Sequence, residues 1–345
     1  MTTAASLASY ASSFPSFRNL LINGGATINQ RGDVTGITST TYGGPDRYQH
    51  IMGSAGTFSI SQSSDSPDGF SNSIKIACTN STSLGTGNIY LLGQKIEGQN
   101  VQHLRFGGSG AKNLTFSFYV KTNVSGDYAV EFNSQTAGRQ ISKSFNISSA
   151  EASAFGWVQR TLIIPGDTVT ALPNNNTAEL AFYMWLCAGT NYTSGTLNSS
   201  NWDSTTDANR AEPANLGSST SNEFYLTGVQ LEEGTVATPF EHRPIGMELS
   251  LCQRYFIKGN AWVGPEWMTQ GGNVSLPARH NFPVTMNHTP VLTNLGFTSQ
   301  NGAYTHSPSF NDIYPDGFTF KAQLKAYQSA YTVHGGVIYS AYAEL

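Results

Sequence analysis

Leu114-Thr115-Phe116-Ser117-Phe118-Tyr119-Val120-Lys121 decides the fold class. Leu114, Phe116, Phe118 and Val120 fall on one face; Thr115, Ser117 and Lys121 fall on the other. A period of two marks a strand with one buried face. Working outward, similar runs are Ser73 to Cys78, Tyr128 to Phe132, Gln140 to Ile147 and Trp157 to Ile164. Glu179 to Cys187 follows with Leu180, Phe182, Met184 and Leu186 in step, and then Phe224 to Leu231. Pro67-Asp68-Gly69, Ser125-Gly126-Asp127 and Pro165-Gly166-Asp167 supply the turns between them. Many short strands separated by Gly, Pro and Asn turns predict an antiparallel sandwich or barrel.

The chain has 345 residues, of which 12% are charged, about half the ~25% of ordinary soluble domains. A hydrophobic fraction of 39% supplies a core and excludes a disordered tail. Length suits two or three domains. Ser, Thr, Asn and Gly replace the missing charges, giving a neutral polar surface. Net charge is −4, without the clustered Lys and Arg of a nucleic-acid partner. No apolar run approaches the ~20 residues needed to span a bilayer, so membrane insertion is not expected. Met1 to Ser13 lacks the basic and apolar regions of a signal peptide. Cys78, Cys187 and Cys252 are odd in number and far apart, so they read as small buried apolar residues.

Two stretches depart from strand patterning. Asn191 to Ser221 is polar and reads as a long surface excursion, the kind of loop that carries function. Met247 to Phe256 suits either a helix or the entry to a strand. Pro239 to Pro244 marks a boundary. Beyond it a second β pattern begins, with Phe318, Phe320, Ala322 and Leu324 alternating against Thr319, Lys321, Gln323 and Lys325. Val337 to Leu345 reads as a closing strand.

Catalytic motifs are missing from the sequence: no nucleophile elbow, Walker loop, HExxH or EF-hand loop. The chain is therefore expected not to be an enzyme. His280 and His288 fall in an expected loop. Asp203 and Asp207, with Asn201 and Asn209, are weak candidates for calcium, since oxygen ligands at such spacing could hold that ion. No other cofactor is expected. Aromatics are the better clue. Tyr192 and Trp202 sit within the polar excursion beside Asn201 and Asp203, and Trp262 and Trp267 flank Gly264-Pro265. Flat rings beside amides and carboxylates suit sugar rings, so these six residues are the glycan-binding candidates.

Asn19-Leu20-Leu21-Ile22-Asn23-Gly24, leading to Ile28-Asn29-Gln30-Arg31-Gly32, resembles the opening of jelly-roll domains in bacteriophage tail-fibre and related virion proteins. The same group is resembled by Phe224-Tyr225-Leu226-Thr227-Gly228-Val229-Gln230-Leu231-Glu232-Glu233-Gly234, by Thr238 to Pro244, by Glu248 to Phe256 and by the ending Tyr342 to Leu345. The resemblance covers about residues 19 to 345. It implies an all-β chain: a carbohydrate-binding-module-like antiparallel jelly-roll β-sandwich over 19–244, then a smaller β-sandwich over 245–345. It also implies an oligomeric virion component, often a trimer. Within that frame Phe240 is expected to plug the sandwich, and Arg31 and Arg243 to bridge the chain ends. Residues 1–18 place Leu7, Tyr10, Phe14 and Phe17 at spacings of three and four, suiting a short amphipathic docking or oligomerisation helix. The leading expectation is a homotrimeric tail-fibre or receptor-binding subunit that recognises a bacterial surface glycan and contacts other tail or baseplate proteins. The alternatives are a head or tail decoration subunit and, third, a polysaccharide depolymerase.

Overall fold

A computed structural model describes residues 17–268, 272–300, 303–326 and 331–345, with side chains described over 17–262, 277–296, 309–321 and 336–345. The chain divides into two compact units, one running to Pro244 and including Leu345, the other Ile245–Glu344. In the first unit the strands are β1 (Val34–Tyr42), β2 (Gln49–Ser63), β3 (Ser73–Asn80), β4 (Ile89–Glu97), β5 (Leu114–Thr122) and β6 (Gly126–Ser134). There follow β7 (Arg139–Ile147), helix α1 (Ser149–Ala154), β8 (Val158–Ile164), β9 (Ala178–Ala188), the short turn α2 (Thr190–Thr193), β10 (Asp203–Ser204) and β11 (Glu223–Glu233).

The strand order is β10-β7-β6-β9-β4-β2-β3-β11-β5-β8, all antiparallel, with β1 on β2. The long strand β2 turns this ribbon into two layers. Gln49–Gly53 pairs with β4, Thr57–Ser63 pairs with β3, and the chain bends between them at Ser54 and Gly56, both with positive φ. One layer is therefore β4-β9-β6-β7 and the other β3-β11-β5-β8. Rings interlock across the gap: Phe116 of β5 meets Phe132 of β6 and Phe182 of β9 at 5.4 and 5.0 Å. Phe118 meets Phe145 of β7 at 5.1 Å, and Tyr128 meets Phe224 of β11 at 6.0 Å. This is an antiparallel jelly-roll sandwich. Each ring taken fully out of water contributes roughly 1.5–3 kcal/mol.

Three of the resembling motifs, Asn19–Gly24, Phe224–Gly234 and Thr238–Pro244, form a clasp closing one edge of this sandwich. The Asn19 side chain donates to Val229 O and accepts from the backbone N–H groups of Leu21 and Leu231, at 3.0–3.1 Å. Gln94 brackets the backbone of Ile22 with two 2.8 Å bonds. Gly24 has no alternative, because a Cβ there would lie 2.1 Å from Val229 O. Gly228, at φ +61°, takes up the bulge that shifts β11 against β5. Arg243 donates to the carbonyls of Leu21 and Asn19 and pairs with Glu241, whose carboxylate accepts the backbone N–H of Phe17 and Asn19. Phe240 is half-buried rather than plugging the core; it packs edge-on against Phe70 at 5.0 Å and lies over Gly24. Arg31 lies over the Tyr42 ring, its guanidinium carbon 5.2 Å from the ring centre.

In the second unit α3 (Ile245–Gln253) leads into β12 (Phe256–Met268), β13 (Gly272–Asn281), β14 (Val291–Gln300), β15 (Ala303–Tyr314), β16 (Gly317–Ala326) and β17 (Tyr331–Tyr342). Two three-stranded sheets, β12-β17-β14 and β13-β16-β15, form a smaller sandwich. Ile257, Phe282, Met286, Phe318, Phe320, Val337 and Tyr339 make its core, with Phe318 edge-on to Tyr339 at 4.9 Å. The stretch from Met247 is thus helix first and strand second. The final strand stops at Tyr342, three residues before the end. His280 lies on β13 rather than in a loop, with Nε2 2.8 Å from the Tyr339 hydroxyl.

Candidate functional site

Alternation along β9 has two sides. Leu180, Phe182, Met184 and Leu186 point into the sandwich, so Ala181, Tyr183 and Trp185 point out of it. The outward face of β4-β9-β6 is apolar as well, with Leu91 on β4 and Ala129 on β6. Such a face needs a cover, and the polar excursion after β9 supplies it: Tyr192, Leu197 and Ala211 pack onto these strands. The cover is incomplete. A cavity of about 350 Å³ remains, floored by Tyr183, Trp185 and Leu91 and edged by Tyr192, Asn133, Gln135, Thr205 and Arg210, with Ile51 and Ile89 at its apolar end.

The polar chemistry of the cavity centres on Glu131, which is fully buried on β6. Arg210 holds it in a two-pronged pair, Nε to Oε2 at 3.0 Å and Nη2 to Oε1 at 3.1 Å. The Trp185 indole N–H donates to Oε2 at 3.0 Å, and Asn133 Nδ2 donates to Oε1 at 3.3 Å. Gln135 continues the chain, donating to Asn133 Oδ1 at 2.7 Å. Both oxygens of this buried carboxylate thus have donors, as a buried acidic group requires. The third prong of Arg210 goes to Asp207 at 2.9 Å, and the guanidinium carbon stands 5.2 Å from the Trp185 ring centre. The cation is thus committed to two carboxylates. Burial, with the nearby Glu131 carboxylate, pushes the Tyr183 hydroxyl up to about 12, so it remains a protonated donor at neutral pH.

Of the sequence candidates among the described residues, the structure brings only Tyr192 to this cavity. Trp202 belongs to the core: it is 5% exposed, edge-on to Phe106, and its indole N–H donates to Pro165 O at 2.6 Å. Its own carbonyl accepts from Arg139, which also pairs with the buried Asp167. Trp202 therefore offers no face to a sugar; it pins the excursion to the sandwich. Asn201 and Asp203 are exposed. Asp203 lines a separate small cavity, whereas the Asp207 carboxylate is taken by Arg210. No cluster of three metal-ligating side chains exists among the described residues. Trp262 stands exposed on β12 of the second unit. The Trp267 side chain, and all of Leu7, Tyr10 and Phe14, lie outside the described residues. Phe17 is exposed, with its backbone N–H on Glu241. All three cysteines are buried and free.

No protein-family model matches the chain, and no curated protein matches it. Similar solved structures include the enzymatically active domain of bacteriophage CBA120 tailspike protein 4, at 14% identity and a TM-score of 0.32, covering 64% of this chain and 22% of that one. A CBM4 structure is 12% identical at a TM-score of 0.31, covering 61% and 98%. The CBM22-1 xylan-binding domain from Paenibacillus barcinonensis is 10% identical at 0.28, covering 59% and 94%. At TM-scores this low the likeness carries no weight for function.

Proposed function

We propose that this chain is a glycan-recognising subunit of a bacteriophage virion, a tail-fibre or receptor-binding component that acts as a homotrimer and binds without catalysing. One observation carries the glycan reading: the cavity between the outward face of β4-β9-β6 and the excursion sets aromatic rings beside amides. A pyranose ring presents C–H groups on its faces and hydroxyls around its edge. The half-buried Tyr192 ring at the edge of the cavity suits the first; Asn133, Gln135, Thr205 and the Tyr183 hydroxyl suit the second. The binding-site combination is a largely apolar cleft with a few placed polar groups. Arg210 is already committed to Glu131 and Asp207, so the cavity favours uncharged sugars over acidic ones. The virion reading is supported by the resemblance of the clasp motifs to tail-fibre jelly rolls.

The test is binding of the labelled protein to intact bacteria before and after periodate oxidation of surface glycans. Binding is expected, and periodate should abolish it without release of reducing ends. Gln135→Ala and Tyr192→Ala should each weaken binding about tenfold, the loss of roughly one hydrogen bond or one ring contact. Periodate-resistant binding would overturn the glycan reading. Tight binding to purified tails or capsids with none to cells would favour a decoration subunit.

A further inference from the structure

Beside the aromatic cavity lies a second one, of about 230 Å³, lined by Gln140, Asn198, Asp203, Ser204, Thr206 and Asn209 among others. The extended strip from Asp203 to Thr206 is the wall between the two. Thr205 faces the aromatic cavity, and its neighbours Ser204 and Thr206 face this one. On the sheet below, Asn133 of the first cavity and Gln140 of the second are directly paired across β6 and β7. Paired strands lie about 5 Å apart, comparable to the advance of one sugar unit along a chain.

The lining is hydroxyl, amide and one carboxylate, with Leu197 its sole apolar member and no aromatic ring. Gln140 is fully buried, and its Nε2 has no hydrogen-bond partner, although its Oε1 accepts from Ser142 at 3.2 Å. A buried amide donor left unpaired is costly, so an acceptor is wanted there. Asp203 has one oxygen on the backbone N–H of Ser204 at 2.7 Å; its other oxygen makes no hydrogen bond among the described residues. A free carboxylate oxygen accepts well from hydroxyls. No Lys, Arg or His lines the cavity, which disfavours an anion.

We propose that this cavity is a second carbohydrate subsite, taking an uncharged hexose unit adjacent to the one in the aromatic cavity. Asp203 accepts from its hydroxyls and Gln140 Nε2 donates to one of its oxygens. This rests on the glycan reading above and extends it: the site measures an oligosaccharide rather than a single sugar.

The test is titration of the full chain with an array of neutral oligosaccharides, from mono- to hexasaccharides of glucose, galactose, mannose and xylose. For the sugars that bind, affinity should rise at least tenfold from the mono- to the disaccharide. Asp203→Ala and Asp203→Asn should collapse that ratio towards one, with circular dichroism unchanged. EDTA should leave the ratio intact. A mono-to-disaccharide ratio near one in the wild type, a ratio indifferent to both Asp203 variants, or a ratio lost in EDTA would overturn the subsite while leaving glycan binding in place. Failure of the wild type to bind any sugar on the array would overturn the glycan reading and the subsite together.

Discussion

His50 is fully buried on β2, with Nδ1 2.9 Å from the Tyr90 hydroxyl. Burial lowers its pKa to about 3, against an ordinary 6.5. The native state therefore keeps the ring neutral where the unfolded chain protonates it. Between pH 6.5 and 3 the unfolded state binds more protons, so stability is present in full above 6.5 and is lost as pH falls towards 3. The slope approaches 1.4 kcal/mol per pH unit once the unfolded ring is charged. His50→Gln, which keeps a partner for Tyr90 but cannot titrate, should flatten urea-derived stability between pH 6.5 and 5. Equal slopes in both proteins would show that His50 does not govern the acid limb. The aromatics teach a different lesson at this scale. Tyr192 stood out in the sequence and lines the cavity, but Trp202 was not legible as a core residue, because its partners Phe106 and Pro165 are distant in sequence. Trp185 and Tyr183 were within reach: an alternating strand with aromatics on its outer face asks what covers them.

At the scale of elements, alternation with one buried face predicted β3, β5, β6, β7, β8, β9, β11 and β16 with their ends nearly in place. β1 and β2 escaped that signal for physical reasons. β1 is an edge strand with mostly exposed residues, and β2 changes layers at Ser54–Gly56, which breaks the period of two. The excursion after β9 was recognisable as a long polar departure from strand patterning but not as a cover for the sheet, since its attachment depends on Trp202, Ala214 and Leu216 entering a core formed by other elements. At the other end of the chain, β17 is the central strand of its sheet, pairing with both β12 and β14. Val337, Tyr339 and Ala341 face the core, and Ala343 remains fully buried with its N–H on Tyr255 O at 2.8 Å. Deleting residues 338–345 should strand two rows of backbone groups and give insoluble protein, whereas a soluble, cooperatively melting truncation would show that the second unit closes without its last turn of strand.

Among the described residues, the second unit presents an apolar face that its own core leaves uncovered. In the sheet β12-β17-β14, the residues opposite Ile257, Val337 and Ala341 are Trp262, Ile338 and Tyr342, with Val291 and Leu295 beside them on β14. All five are exposed, Trp262 by 57% and Val291 by 68%. Together they show on the order of 400 Å² of apolar surface, the size that marks an interaction site on a monomer. Aliphatic neighbours suit a protein partner better than a sugar, and the paired row Lys258, Ser340 and Thr293 crosses the face between Tyr342 with Val291 and Ile338 with Leu295. The trimer proposed above needs a face on each chain that meets another copy, and this patch supplies about half of the ~800 Å² that a stable interface takes from each partner, so a second copy of the same chain is the proposed occupant. Assembly would then explain how shallow sites bind cells firmly, since linked copies convert later contacts into intramolecular ones. Light scattering should give three times the chain mass of 37.1 kDa. Trp262→Ser with Ile338→Ser should reduce it to one chain, and retention on a glycan-coated surface should fall by roughly 10²–10⁴-fold while oligosaccharide affinity in solution holds. A wild type of single-chain mass would end the trimer; a variant that remains trimeric would move the interface off this face and leave the multivalent account standing.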